Sequence, residues 1–247
     1  MNLKLTIAYD GTHYLGWQKT STGPSIEAEL ESALFQILQK KITLQAAGRT
    51  DAGVHAEGQV VNFISLVDSL NLDRFKKGVN ALLPYDIRVL NIEIASDSFH
   101  PTVHCVSKEY RYQLCYSAAQ LPQHRFYSWH YPYALDIDVM RQGAVLLQGI
   151  HNFKAFCNQK KNERYSDYMR EVQSITFEEL SPSRLLFIIK GPHFLYKMVR
   201  NLVGTLVYLG RGKLTLDQIL TLLTGCNRAE AGMTAPAHGL TLYKVVY

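Results

Sequence analysis

The sequence has few cysteines and no long uninterrupted apolar run. Its four cysteines form neither a CxxC pair nor a zinc-like spacing, which argues against a disulfide framework and favours scattered reduced thiols. They are Cys105, Cys115, Cys157 and Cys226. No apolar stretch reaches the roughly 18 residues of a membrane span, and the first residues alternate apolar and polar side chains, unlike a signal peptide. We therefore expect a cytoplasmic protein without a membrane segment.

Motifs of several common enzyme classes are also missing. The chain contains no GxGxxG after a strand, no GxxxxGK[ST], no HExxH and no GxSxG. These motifs are typical of dehydrogenases, NTPases, metalloproteases and serine hydrolases. His100 and His104 are four residues apart, but Pro101 between them argues against a helical metal pair.

The composition is that of an ordinary globular protein, with 47% hydrophobic and 19% charged residues among 247. This length suits one large domain or two smaller ones that share a core. The net charge is +5, and residues 181–213 carry six basic and no acidic side chains. A local excess of this kind suits a phosphate backbone, although a solvated basic face explains it equally well.

The first half is predicted to contain six elements. Alternation of apolar and polar residues predicts strands over "LKLTIAY", "ITLQAA", "QVVNFIS" and "DIRVLNIEI". Ser25 and Asn71 are suitable N-caps for two helices, and Pro84 ends the second. The apolar stripes are Ile26, Leu30, Ala33, Leu34 and Ile37, then Leu72, Phe75, Val79 and Leu82. The order β-α-β-β-α-β is that of the split βαβ, or ferredoxin-like, arrangement.

The second half is predicted to repeat this order. A tyrosine-rich strand, "KEYRYQLCYS", precedes a helix that begins at Asp136 or Asp138. A hairpin of "EVQSITFEEL" and "RLLFIIKG", a helix from about Leu195 to Tyr208, a short helix over "TLDQILTLL" and a strand "GLTLYKVVY" follow. We therefore predict an α+β protein with two pseudo-repeated ferredoxin-like halves, 1–103 and 104–247, whose antiparallel sheets lie side by side.

The stretch "GRTDAGVH", residues 48–55, places opposite charges two residues apart between two glycines. A loop aspartate is usually a turn residue that bonds its own backbone, and Asp51 fits that interpretation. A turn needs no guanidinium, however, whereas a carboxylate kept ionised in a dry pocket benefits from a neighbour such as Arg49, which lowers its pKa and fixes its rotamer. Such a carboxylate is a candidate nucleophile.

The predicted helix 195–208 has an apolar stripe and a second, polar face. Lys197 on the polar face fits a solvent-exposed position. Asn201 and Gly204 lie near Arg200 on the same helix. They indicate that the helix surface around Arg200 is close-packed or faces a substrate.

Lys108, Tyr110 and Tyr112 share one face of their predicted strand. Tyrosines at this spacing are compatible with packing inside a sheet. They are equally compatible with stacking on nucleotide bases in a basic protein.

Seven blocks of the sequence, in one order, carry a family resemblance. They are "YDGTHYLGWQ" (9–18), "AGRTDAGVHAEGQV" (47–60), "GVNALLPYDI" (78–87), "FH" (99–100), "KEYRY" (108–112), "FLYKMVRNLVGTL" (194–206) and "APAHGLTL" (235–242). Together they resemble the tRNA pseudouridine synthase A family over essentially the whole length. The family commonly has Ala-Arg after Phe-His, where this chain has Pro101 and Thr102.

The resemblance implies isomerisation of uridine to pseudouridine in the anticodon arm of tRNA, around nucleotides 38 to 40. It also implies the α+β pseudouridine synthase fold, a homodimer that holds tRNA across both subunits, and no metal or organic cofactor. The first half then carries the catalytic loop, and the second half carries a basic RNA-binding helix.

The resemblance also assigns roles to four residues. Asp51 matches the catalytic aspartate, and Arg49 matches the arginine beside it, which helps to flip the base. Tyr110 matches the residue that packs on the target base. Arg200 matches an arginine that pairs with the aspartate.

From the residues alone, other functions stay open. One is a sheet-based RNA-binding module in which Asp51 is only a turn residue, and another is a structural or protein-interaction domain. The sequence assigns no role to His55.

Overall fold

The computed structural model describes residues 1–65, 67, 69–159, 165–225 and 227–247. Cys226 lies outside the described residues, and the other three cysteines are buried thiols rather than disulfides, as predicted. The chain divides into two compact units: unit 1 comprises residues 1–106 and 241–247, and unit 2 comprises residues 107–240.

Strands and helices follow the predicted order, with additions in the second half. The strands are β1 (Asn2–Tyr9), β2 (Gln45–Ala46), β3 (His55–Ile64), β4 (Ile87–Ala95), β5 (Ser107–Cys115), β6 (Trp129–His130), β7 (Gly149–Asn152), β8 (Met169–Val172), β9 (Ser174–Ser181), β10 (Arg184–Gly191) and β11 (Leu240–Val246). The helices are α1 (Ile26–Leu38), α2 (Leu72–Leu82), α3 (Ile137–Leu146), α4 (Met198–Gly210) and α5 (Leu216–Leu222). The chain is therefore an α+β protein, as predicted.

The sheet of unit 1 is built around β1 and β3. β1 pairs antiparallel with both β3 and β4. On its other edge, β3 pairs antiparallel with β2 at Val61 and Asn62, and parallel with β11 at His55 and Ala56. Leu3, Leu5 and Ile7 of β1 are fully buried, so one face of this sheet forms the core of unit 1.

The helix starts follow local capping signals. The Ser25 hydroxyl accepts from the backbone N–H of Ala28, and the Asn71 side chain accepts from that of Arg74. In unit 2 the cap of α3 is Asp136, which settles the choice between Asp136 and Asp138. Most of the predicted apolar stripes are buried, but Leu82 is 43% exposed.

In unit 2, β5 and β9 pair antiparallel with the two edges of β10. A separate pair of strands, β7 and β8, was not predicted. The sequence indicated one strand over residues 171–180, but residues 171 and 172 belong to β8 because they pair with β7, and β9 begins at Ser174.

Two other predicted elements differ in length. The strand over "ITLQAA" consists only of Gln45 and Ala46. The helix predicted from Leu195 begins at Met198 because Lys197 has a left-handed backbone conformation, with φ of 61°, that cannot continue a right-handed helix.

Candidate active site

The loop that carries Asp51 joins β2 to β3 in unit 1. Its first residues are anchored to β3: the Ala47 N–H donates to the Val60 carbonyl at 2.8 Å, and the Gln59 side-chain amide donates to the Gly48 carbonyl at 2.6 Å. Asp51 therefore stands on a short loop whose entry is fixed to rigid secondary structure.

Asp51 begins a tight turn. The Val54 N–H donates to the Asp51 carbonyl at 3.1 Å, and Gly53 has φ of 78°. A positive φ at the third position is typical of a type II turn and favours glycine there. The side chain of Asp51 is half-buried and that of Ala52 is exposed. The turn interpretation of Asp51 is thus correct for its backbone.

A second segment, residues 9–17, braces this loop. The Trp17 N–H donates to the Thr50 carbonyl at 3.0 Å, and the Gly53 N–H donates to the Tyr14 carbonyl at 3.3 Å. Gly16 has φ of 98°, and a Cβ there would lie 2.5 Å from the Thr50 carbonyl oxygen. Only glycine permits so close an approach, which gives the block "YDGTHYLGWQ" a structural role.

The Tyr9 side chain reaches the same loop from β1. Its hydroxyl lies 2.8 Å from the Thr50 hydroxyl, inside the core. Burial raises the pKa of Tyr9 to about 12, so the phenol is neutral at physiological pH. Tyr9 and Thr50 thus form an uncharged, buried hydrogen bond at the residue directly before Asp51. Sequence reasoning missed this pair, because no local pattern links two residues so distant in the chain.

His55, which follows the loop, is buried. Its Nδ1 lies 3.1 Å from the Gly11 backbone nitrogen and 3.1 Å from an oxygen of Asp10. His55 therefore ties the start of β3 to the segment after β1, which is a positioning role that the sequence left unassigned. The Thr102 hydroxyl adds a further tie by donating to the Ala46 carbonyl at 2.8 Å.

Arg49 lies on the same loop, with its side chain exposed. Arg49 therefore presents its charge to solvent.

Unit 2 contains the other two predicted site residues. Tyr110 lies on β5 opposite Ile189 of β10, and its ring meets Phe194 edge-on, with centroids 5.3 Å apart. Tyr112, on the same face, is fully buried, and its hydroxyl donates to the Pro236 carbonyl at 2.9 Å. Tyr112 is therefore a packing residue, and Tyr110 is also largely buried, with 8% of its surface exposed.

Arg200 lies in the first turn of α4. Its Nε donates to the Ala235 carbonyl at 2.7 Å, next to the Pro236 carbonyl that receives the Tyr112 hydroxyl. The side chains of Arg200 and Tyr112 thus bind the adjacent carbonyls of Ala235 and Pro236 in the block "APAHGLTL". This contact fixes the direction of the Arg200 guanidinium.

The neighbours of Arg200 on α4 are close-packed rather than substrate-facing. Asn201 is fully buried and donates to the Phe156 carbonyl at 2.7 Å. A Cβ on Gly204 would lie 1.7 Å from the Met233 carbonyl oxygen. Of the two interpretations of this helix face, close packing is the correct one for Asn201 and Gly204.

The basic residues of segment 181–213 do not form one patch. Arg184 and Lys190 lie near opposite ends of β10, about 20 Å apart at ~3.3 Å per residue. Arg200 and Arg211 lie near opposite ends of α4. Lys190 is 3.4 Å from a Glu109 oxygen, so part of this charge is already paired within unit 2.

Other kinds of site find no support in the described ranges. Among these residues, no group of three or more His, Cys, Asp or Glu side chains is placed to hold a metal ion. No helix of residues 1–65, 67, 69–159, 165–225 and 227–247 is long and apolar enough to cross a membrane.

Comparison with known proteins identifies similar chains. Residues 5–102 and 144–247 match a family model described as tRNA pseudouridine synthase. The chain is 54% identical over 246 residues to tRNA pseudouridine synthase A 2 of Protochlamydia amoebophila, covering 100% of this chain and 94% of the relative. It is 41% identical over 249 residues to tRNA pseudouridine synthase A of Bacillus pumilus, covering 100% and 99%. The enzyme of that name from Thermodesulfovibrio yellowstonii is 39% identical over 254 residues, covering 100% of both chains.

Proposed function

Because the chain belongs to the tRNA pseudouridine synthase family, we propose that it isomerises uridine to pseudouridine in the anticodon arm of tRNA, around nucleotides 38 to 40. The observation that carries this proposal is the loop of Asp51. Asp51 belongs to a turn whose loop is fixed to β3 at its start and to residues 9–17 at Thr50 and Gly53. A carboxylate held in this way suits a reaction that needs one positioned nucleophile.

The reaction changes which atom of the uracil ring is bonded to the ribose. The bond from N1 of uracil to C1′ of the ribose breaks, the ring rotates, and a bond from C5 to C1′ forms. The C5 proton is released and N1 gains a proton, so the change is redox-neutral. Asp51 serves as the nucleophile, either by attack on C1′ or by addition to C6 of the ring, and both routes use the ionised carboxylate.

A uridine in an RNA arm must leave its stack before it reaches Asp51, at a cost of a few kcal/mol. Stacking of the flipped base on Tyr110 returns about 1–3 kcal/mol. The exposed position of Arg49 supports a role in flipping the base and contacting RNA. Arg200, whose Nε donates to the Ala235 carbonyl, is proposed as a further substrate-binding residue.

We also propose that each half is ferredoxin-like. In unit 1, β3 lies between β1 and β2, and β1 lies between β3 and β4, with all three pairs antiparallel. Strand β1 is thus separated from β2, and β3 from β4, by one antiparallel strand, which is the split βαβ pattern. In the second half, β5, α3, β9, β10, α4 and β11 follow the same order along the chain, which supports a pseudo-repeat.

The functional division follows these halves. Residues 1–103 carry the catalytic loop, and residues 104–247 carry the helix of Arg200. The proposed assembly is a cytoplasmic homodimer that holds one tRNA across both subunits.

The deciding experiment compares Asp51→Asn with the wild type and with Asp97→Asn, an exposed aspartate far from the loop in sequence. Pseudouridine is mapped by mass spectrometry in tRNA before and after exposure to each protein. We expect wild-type and Asp97→Asn proteins to modify the anticodon arm, and Asp51→Asn to bind tRNA without modifying it. Wild-type protein that binds tRNA but forms no pseudouridine would make the chain a binding module.

A further inference from the structure

A cavity of about 390 Å³ opens in unit 2 beside Tyr110. Its lining comes from β8, at Met169, Arg170 and Glu171, and from the segment after β10, at Pro192, His193 and Phe194. The Phe194 ring that lines the cavity is the one that meets Tyr110 edge-on, with centroids 5.3 Å apart. The cavity is therefore separated from the proposed base-stacking residue by a single aromatic side chain.

Three nitrogen-bearing side chains share the environment of this cavity. Arg170 lines it directly, and the buried Lys108 donates from its Nζ to the Pro192 carbonyl at 2.9 Å. Burial, followed by the charges of Lys108 and Arg170, lowers the pKa of His193. His193 is therefore a neutral hydrogen-bonding group at physiological pH, in a positive field made by the other two.

Two carboxylates lie near the two positive charges of Lys108 and Arg170 and balance them in number. Glu171 lines the cavity, and an Asp167 oxygen lies 3.8 Å from Nη1 of Arg170. The Arg170 guanidinium also lies 5.7 Å from the centre of the Tyr165 ring. These contacts orient Arg170, and its planar fork of donors is well suited to the oxygens of a phosphate.

We propose that this cavity binds a phosphodiester of the tRNA next to the target nucleotide, and that Arg170 is the residue that contacts the phosphate. The proposal rests on the proposed function, since it takes Tyr110 as the residue that stacks on the target base. A backbone phosphate is the ligand because the planar donor fork of Arg170 suits phosphate oxygens and the cavity lies beside that stacking residue. Lys108, bonded to the Pro192 carbonyl, adds a second positive charge, and His193 supplies a hydrogen bond.

The first test removes the charge of Arg170. Arg170→Gln keeps a polar side chain, Arg170→Lys keeps the charge, and Arg141→Gln is a control at an exposed arginine of α3. We expect Arg170→Gln to weaken tRNA binding and raise KM about ten-fold, and to reduce the salt slope of log K by about 0.7 to 0.9. We expect kcat to change less than about two-fold, Arg170→Lys to restore most of the affinity, and Arg141→Gln to behave as wild type.

Iodine cleavage of tRNA that carries phosphorothioates identifies the phosphate involved. Wild-type protein is expected to protect a phosphate that flanks the target nucleotide, and Arg170→Gln is expected to lose that protection alone. The proposal is overturned if Arg170→Gln loses protection over the whole anticodon arm. It is also overturned if this variant keeps the protection and the salt slope of the wild type.

A second pair of variants, at His193, tests the cavity while leaving Arg170 and its contacts with Asp167 and Tyr165 unchanged. His193 is exposed, with part of its ring desolvated at the cavity, so its substitution leaves the core intact. His193→Glu brings a carboxylate to the cavity and is expected to weaken tRNA binding several-fold, whereas His193→Gln keeps a hydrogen-bond donor and is expected to weaken it less. Gln142→Glu, an exposed position on α3, controls for the added charge.

Equal binding by the Glu variants at positions 193 and 142 overturns the proposal. The binding measurements do not need turnover. Wild-type protein that forms no pseudouridine would therefore contradict the proposed function, and not the phosphate site.

Discussion

The hydroxyl of Tyr9 lies 2.8 Å from the hydroxyl of Thr50, the residue directly before Asp51. Both side chains are buried, so the bond is shielded from water and sets the position of the loop from inside the sheet. The candidate nucleophile is thus aligned by the strand beneath it as well as by its own turn.

Tyr9→Phe removes this bond and leaves the Thr50 hydroxyl without its Tyr9 partner. We expect the free energy of unfolding to fall by about 1 kcal/mol and kcat to fall about ten-fold through misplacement of Asp51, with KM for tRNA unchanged. Chemical denaturation and steady-state kinetics measure the two effects. Tyr85→Phe, at a side chain that is 97% exposed, is the control. A rise in KM without a loss of kcat would contradict a positioning role.

Gly16→Ala tests the brace of the loop. Gly16 has φ of 98°, and its added Cβ would lie 2.5 Å from the Thr50 carbonyl oxygen, so the backbone of the loop must shift. Gly212 also has a positive φ, of 72°, but nothing lies within 4 Å of its added Cβ. We expect both alanine variants to lose about 1–2 kcal/mol of stability, and only Gly16→Ala to lose activity. Equal activity in the two variants would show that residues 9–17 do not position Asp51.

Substitutions of Tyr110 separate its ring from its hydroxyl. If stacking dominates, Tyr110→Phe keeps most of the activity, because the ring and its contact with Phe194 remain. Tyr110→Ala then loses about 1–3 kcal/mol of interaction with the base, seen as a ten-fold or greater loss of kcat/KM. Thermal unfolding of both variants measures how much stability is lost when the ring no longer packs, so that this loss can be separated from the loss of stacking on the base. Equal, severe losses would instead indicate proton transfer through the hydroxyl.

Asn201→Ala tests whether the polar face of α4 is structural. The Asn201 side chain donates to Phe156 and Asn158, and it accepts from Arg228 at 2.8 Å and Thr234 at 2.7 Å. Its loss leaves several buried polar groups unpaired, so we expect the free energy of unfolding to fall by about 3 kcal/mol. KM for tRNA should be unchanged below the melting temperature. Asn91→Ala, at an exposed position, is the control, and a change in KM alone would make Asn201 a substrate contact.

Local signals in the sequence predicted the elements of the fold well. Ser25, Asn71 and Asp136 each accept a hydrogen bond from the third residue of the following turn, and a cap of this kind depends only on neighbours in the chain. The start of α4 was predicted three residues too early, because the left-handed conformation of Lys197 is imposed by packing that no local pattern reveals.

The sequence identified candidate residues of the site, but not the contacts that hold their loop in place. The glycines and opposite charges around Asp51 identified the loop. The contacts of Trp17, Tyr14 and Tyr9 with that loop join residues more than thirty positions apart, so only the folded chain reveals them. The expected partnership of Arg49 and Asp51 rested on sequence adjacency and stays a prediction, and Arg49 is exposed.

The parallel pairing of β11 with β3 has a consequence for how the protein is made. Thr241 lies opposite His55, so a strand from the far end of the sequence completes the sheet next to the loop of Asp51. Domains of a growing chain generally fold in the order of their synthesis. Unit 1 departs from that order, because its sheet is complete only when residues 241–247 have been synthesised. Until then a nascent chain carries its candidate nucleophile on an incomplete scaffold.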